Sequence, residues 1–251
     1  VFTAERRRYI VERLRQDGKI VAGDLSTELG VSDDTIRRDL RELAQAGLLQ
    51  RVHGGALPRS PSSPSYAARE REQPAAKAVI ARRAAALVQP GQVVILDAGT
   101  TMLQVAQHLR SDVEATVVTN SPAVALALAE HPGLEIIMAG GRFHHPSQAN
   151  IGAATVRAFE GIHADLCFLG LAGLHPEAGI SILVHEEVFV KQAMIAGASR
   201  VVGVTTAEKL GTVAPYIVAP AAALTDLVTE RSAAEAALAP LRAAGITVLA
   251  A

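Results

Sequence analysis

Apolar residues recur at helical spacing in the first fifty positions and in short unbroken runs from position 91 onward. Ile10, Val11 and Leu14 share one face of a helix predicted over 6–16, and Leu25 and Leu29 stand one turn apart in a second over 21–29. After the tight turn Gly30-Val31-Ser32, Ile36, Leu40 and Leu43 make one apolar stripe of a third helix. Ser32 is placed to cap its start, and Gly47 to stop it with a left-handed backbone. Leu48–Leu57 reads as a β-hairpin with Gly54-Gly55 supplying the positive φ of its turn. Three helices and a hairpin predict a winged helix-turn-helix, whose second paired helix enters a DNA major groove.

The second part is a different pattern. Apolar runs at 93–96, 115–118, 134–138, 165–169, 200–204, 224–228 and 246–249 read as strands. Helical patterns lie at 75–88, 103–109, 122–129, 151–159, 186–196 and 233–243. Strands that are apolar throughout predict a mainly parallel sheet covered on both faces, and the fold class is α/β. Between the two parts, Pro58-Arg59-Ser60-Pro61-Ser62-Ser63-Pro64-Ser65 has too little apolar surface to fold alone and reads as a semi-extended connector. The predicted organisation is a DNA-binding domain over 1–58, a linker over 59–74 and a larger α/β domain over 75–251.

Charge sharpens this division. The net charge of −1 combines +5 over residues 1–83 with −6 over residues 84–251. A basic front on an acidic back suits a nucleic-acid reader attached to something else. With 49% hydrophobic residues there is ample material for a core, and no apolar run reaches membrane-spanning length. No signal peptide is visible, so a cytoplasmic protein is expected. The single cysteine, Cys167, sits in an apolar run and is expected to be a buried core thiol. His144-His145 is the only histidine pair, no spacing resembles a zinc site, and neither metal nor cofactor is expected.

Thr35, Arg37, Arg38 and Arg41 lie off the apolar stripe of the third helix. Alone they would suit a solvated surface helix equally well. Thr35-Ile36-Arg37-Arg38-Asp39-Leu40, followed by Gly47-Leu48-Leu49 and Arg51-Val52-His53-Gly54-Gly55, resembles the DeoR family of bacterial transcriptional regulators. In that reading Thr35, Arg37 and Arg38 meet base edges, while Ser32, Arg41, Arg51 and His53 hold phosphates or the wing.

In the second part, polar loops follow the strands: 97–101, 119–121, 140–142, 170–173 and 205–209. Open α/β sheets bind ligands outside the carboxyl ends of their strands, and Asp97-Ala98-Gly99-Thr100-Thr101 opens a helix whose N-terminus favours an anion. The DeoR resemblance extends over this region, where family effector domains resemble ribose-5-phosphate isomerase and are thought to sense phosphorylated sugars. It implies Gly99, Thr100 and Thr101 as a phosphate cradle and Lys191 and Lys209 as cations. It implies Asp97, Asn120 and Glu187 as hydroxyl partners, with Thr119, Gly140, Gly141 and Arg142 in the remaining ligand motifs. Three positions depart from the family pattern: Ala98 removes a hydroxyl, Thr206-Ala207-Glu208 sets a carboxylate beside Lys209, and His185 replaces a neutral polar residue. The expected function is a non-enzymatic repressor of sugar-metabolism genes. It would bind double-stranded operator DNA as a homodimer or homotetramer and respond to a phosphorylated sugar. The alternative is a sugar-phosphate isomerase or deaminase carrying a DNA-binding domain, since Asp97, Glu186, Glu187 and Lys191 are chemically able to move a proton beside a carbonyl.

Overall fold

The computed structural model describes residues 2–251. The reader at the amino end is built from helices α1 (Thr3–Asp17), α2 (Ala22–Leu29) and α3 (Asp33–Gln45). Strands β1 (Ile20–Val21), β2 (Gln50–Val52) and β3 (Gly55–Leu57) form one small sheet, with β3 between the other two. Ile10, Leu14, Leu25, Ile36, Leu40 and Leu43 are all buried together, so the predicted stripes face one another. β1 has no counterpart in the sequence reading, because two residues are too short to show a period. Its pairing explains Gly55: a Cβ there would stand 1.8 Å from the Ile20 carbonyl oxygen. Of the two turn glycines Gly54 alone takes the expected positive φ, at 78°, and Gly47 takes its own at 76°.

The connector is extended, as its composition predicts, and Arg59, Pro61, Pro64 and Ser65 are exposed, but it does not run free. Ser60 and Ser62 are buried against the second part of the chain. The polar stretch after it winds into a short helix, α4 (Tyr66–Arg71), before α5 (Pro74–Ala85).

The larger part follows in strict alternation at first: β4 (Val93–Leu96), α6 (Thr100–Gln107), β5 (Ala115–Thr119), α7 (Pro122–Leu128) and β6 (Leu134–Met138). A hairpin of β7 (Arg142–His144) and β8 (Ala149–Ile151) precedes α8 (Ala153–Glu160) and β9 (Leu166–Gly170). Then come β10 (Gly173–His175), β11 (Gly179–Ile182), α9 (His185–Ala196), β12 (Val201–Val204), β13 (Tyr216–Ala219), β14 (Asp226–Thr229), α10 (Glu235–Ala243) and β15 (Thr247–Ala250). The seven strands read from the sequence form one sheet in the order β15-β14-β12-β9-β4-β5-β6, and every neighbouring pair is parallel.

Alternation along each strand splits the core in two. Val94, Leu96, Leu166 and Phe168 pack with Ile80 of α5, Met102 of α6 and Val124 of α7. Ile95, Cys167 and Leu169 face the other way, toward Phe159 of α8, Met194 of α9 and Leu241 of α10. Each large side chain buried this way contributes on the order of 1.5–3 kcal/mol, which is why the central strands β4, β9 and β12 carry no polar side chain beyond the Cys167 thiol. The β7–β8 hairpin and the antiparallel sheet β10-β11-β13 are additions to this layer that the sequence did not announce. No helix among the described residues is long and apolar enough to cross a membrane.

Candidate functional sites

In the reader, α3 begins at Ser32, whose Oγ accepts the Thr35 N–H at 3.3 Å and lies 2.9 Å from the Thr35 hydroxyl. Thr35 is therefore partly committed to the cap. Arg37, Arg38 and Arg41 are exposed, and Arg37 alone has a carboxylate nearby, Asp33 at 3.9 Å. Arg37, Arg51 and His53 line one shallow hollow between α3 and the wing turn at Gly54. Asp39, one residue beyond the arginine pair, is 1% exposed and joins Arg6 and Arg7 of α1, the latter at 2.9 Å. Burial alone would raise its carboxyl, but the hydrogen bonds from both guanidinium groups outweigh it and hold Asp39 below the usual carboxylate range. This pair fixes α3 against α1 and leaves three arginines on the open face.

The second site lies where the loops after β4, β9 and β12 meet. These strands are adjacent in the sheet, so their carboxyl ends share one rim. A cavity of about 80 Å³ opens there, lined by Gly99, Thr100 and Thr101 at the start of α6, by Glu187 and Lys191 of α9, and by Lys209. No side chain caps α6, and Gly99 sits at φ 122° with open space where a Cβ would project. First-turn backbone N–H groups that no side chain satisfies attract an anion.

Two buried lysines at this rim have different roles. Lys191 donates to Asp97 and, at 3.1 Å, to the Gly170 carbonyl. Asp97 is fully engaged: besides Lys191 it accepts the Gly170 N–H at 2.8 Å and the Ala98 N–H at 2.7 Å. It ties β4 to β9 from below the cavity instead of lining it. Lys209 is buried too, yet no hydrogen bond or ion pair reaches its ammonium among the described residues. Burial first, then repulsion from Lys77, pulls Lys209 down to about 8. On the opposite wall Glu187 Oε1 is buried with no hydrogen-bond partner.

Besides Asp97, five residues expected in the ligand motifs do not line this cavity: Thr119, Asn120, Gly140, Gly141 and Arg142. The β7–β8 hairpin occupies the ends of β5 and β6 and uses those loops as its anchors. Asn120 Nδ2 donates to the Asn150 carbonyl at 2.9 Å, and Thr155 Oγ1 donates to the Gly140 carbonyl at 2.7 Å. Thr119 Oγ1 accepts the Ser121 N–H, a Cβ on Gly141 would strike Thr155, and Arg142 is exposed and pairs with Glu186. Ser147, Ser62 and Arg69 do line the cavity. Sequence reasoning missed all three, because a serine among prolines and an arginine in a charged stretch look like ordinary solvated residues. His144 meets Ser147 Oγ at 2.7 Å and His145 packs edge-on to Phe143.

The DeoR-like helix-turn-helix domain matches residues 6–61 and the DeoR C terminal sensor domain matches residues 72–231. The chain is 34% identical over 233 residues to the HTH-type transcriptional repressor GlcR of Bacillus subtilis strain 168, covering 92% of this chain and 90% of that one. It is 33% identical over 208 residues to the glycerol-3-phosphate regulon repressor of Escherichia coli K12, covering 82% of each. Among solved structures it is similar to the full-length sorbitol operon regulator SorC of Klebsiella pneumoniae, at 13% identity and a TM-score of 0.45 over 94% of this chain and 98% of that one. A ribose 5-phosphate isomerase from Methanocaldococcus jannaschii is similar over 55% of each chain, at 13% identity and a TM-score of 0.40. With both family domains in order along one chain and relatives this close over most of its length, the protein belongs to the DeoR family of transcriptional regulators.

Proposed function

We propose that this regulator represses a sugar-metabolism operon and that a phosphorylated sugar or related metabolite, held at the rim of the large sheet, modulates its grip on operator DNA. Arg37 and Arg38 read base edges, each good bidentate contact giving about 1–3 kcal/mol of discrimination. Ser32, Thr35, Arg41, Arg51 and His53 position the reader on phosphates and the wing. A homo-oligomer aligns two α3 helices on half-sites about one helical turn apart.

The observation that carries the effector reading is Lys209: a buried lysine whose ammonium has no partner among the described residues, lining the same cavity as Thr100 and Thr101 at the uncapped start of α6. A phosphate monoester supplies the missing negative charge, and its sugar hydroxyls supply donors for Glu187 Oε1. Catalysis is the weaker reading, because two of its four candidate groups, Asp97 and Lys191, are bonded to each other and to backbone groups, and Glu186 is exposed and paired with Arg142.

The test is a thermal-shift screen with glycerol 3-phosphate, ribose 5-phosphate, fructose 1-phosphate and a hexosamine 6-phosphate, followed by gel-shift titration of the chain's own promoter region. Stabilisation by one member without turnover, with a change in promoter affinity, is the expected result. Silence across the whole panel, or turnover of a member, overturns the proposal.

A further inference from the structure

The connector between the two parts of the chain and the short helix after it contribute to the wall of the cavity. Val213 N–H donates to the Pro58 carbonyl at 2.9 Å, and Ser60 N–H returns to the Val213 carbonyl at 3.0 Å. Ser60 Oγ donates to the Ala172 carbonyl at 2.6 Å, and Ala172 forms part of the cavity wall with Gly170 and Leu171. Ser62 lines the cavity itself. Arg69, on α4, also reaches it, and its guanidinium donates backward to the carbonyls of Ser63 and Pro64 at 3.0 and 2.9 Å. The segment ends at Gln73, a non-glycine residue at φ 47° immediately before Pro74, whose Nε2 donates to Glu208 beside Lys209.

Charge makes this arrangement responsive. Arg69 comes from the connector, Lys77 from α5 and Lys209 from the loop after β12, and all three are drawn down, each by burial first. Arg69 and Lys77 both repel Lys209. Glu72 and Glu208 partly offset the repulsion at Lys209, and Glu187 does so at Arg69. Lys191 is already neutralised by Asp97. With the cavity empty, a cation of the connector faces cations of the sensor. An anion between them turns that repulsion into a shared attraction.

We propose that the connector is a wall of the effector site: an anion bound at Lys209 is also held by Arg69 and Ser62, and so pins residues 58–72, and the reader attached to them, onto the sensor. This rests on the anion-pocket reading above and adds the residues that sense occupancy and the segment that transmits it.

The experiment uses the full chain and inorganic phosphate as probe. It measures phosphate affinity by titration and amide hydrogen exchange of the 58–72 segment with and without phosphate. Phosphate is expected to slow exchange in that segment by about fivefold or more, a closing free energy within the usual range of allosteric coupling. Arg69→Gln is expected to weaken phosphate about tenfold, the loss of one charge-assisted contact, and to abolish the protection, while Arg69→Lys recovers part of both. A purely structural Arg69 would loosen the segment equally with and without phosphate and leave affinity unchanged in both variants. Phosphate binding that leaves exchange in 58–72 unaltered, or binds Arg69→Gln as tightly as the native chain, overturns the connector proposal and leaves the pocket standing. Failure of the native chain to bind phosphate at all overturns both.

Discussion

Lys209 and Asp39 show how much a single side chain's surroundings decide. Lys209 sits near 8, so its ammonium is half neutral at a pH only slightly above that of most cells. A phosphate monoester stays largely dianionic from about pH 7 upward and binds the charged lysine. Affinity for the effector should therefore fall as pH rises through 8, by up to tenfold per pH unit, and titrations at pH 7, 8 and 9 check it. The sign for the empty protein is opposite. Between 8 and the ordinary lysine value the unfolded chain holds a proton that the folded chain lacks, so Lys209 adds to stability as pH rises across that window. Asp39 is the reverse case, a buried carboxylate held below its usual range by Arg6 and Arg7. Its contribution is present above the unfolded carboxylate pKa and is lost as pH falls through the lower folded value. Asp39→Asn should lower reader stability by about 3 kcal/mol or more, since breaking one partner of a buried pair strands charge. Thermal melts of the variant read this directly. The sequence displayed Asp39 only as one more charge in an arginine-rich helix; its partners lie 32 and 33 residues earlier, beyond any local pattern.

Elements were more legible than sites. The strands of the large sheet were visible because burial, on both faces for the central ones, forces mostly apolar runs; β13 has the same texture but pairs in the antiparallel sheet and was not read as a strand. The reader helices were visible because each shows one greasy stripe and α3 also carries its cap. Elements without such texture escaped: β1, only two residues long, and β7, β8, β10 and β11, which are short and each carry a glycine, histidine or asparagine. That hairpin is why five expected ligand residues do not line the cavity: it fills the β5 and β6 ends of the rim. On α3, the exposed arginines lie opposite the buried stripe, so their removal leaves the core untouched. Arg38→Ala should abolish specific operator binding while circular dichroism and melting temperature stay close to native. A footprint unchanged in the variant would remove Arg38 from the interface.

At the scale of the whole molecule, the reader is assembled from neighbours and the sensor from distant partners. All reader core residues lie between Ile10 and Ala56. The middle of the large sheet instead joins β4 to β9, with Val93 bonded to Asp165, 72 residues on. Contacts of this span close late in folding, and chains on the ribosome fold from the amino end. The connector, for its part, has nothing to lie on until Ala172 and Val213 have been made. Translation thus completes the helix-turn-helix domain before the sensor domain that follows it, and a message broken in its second half would yield the first without the second.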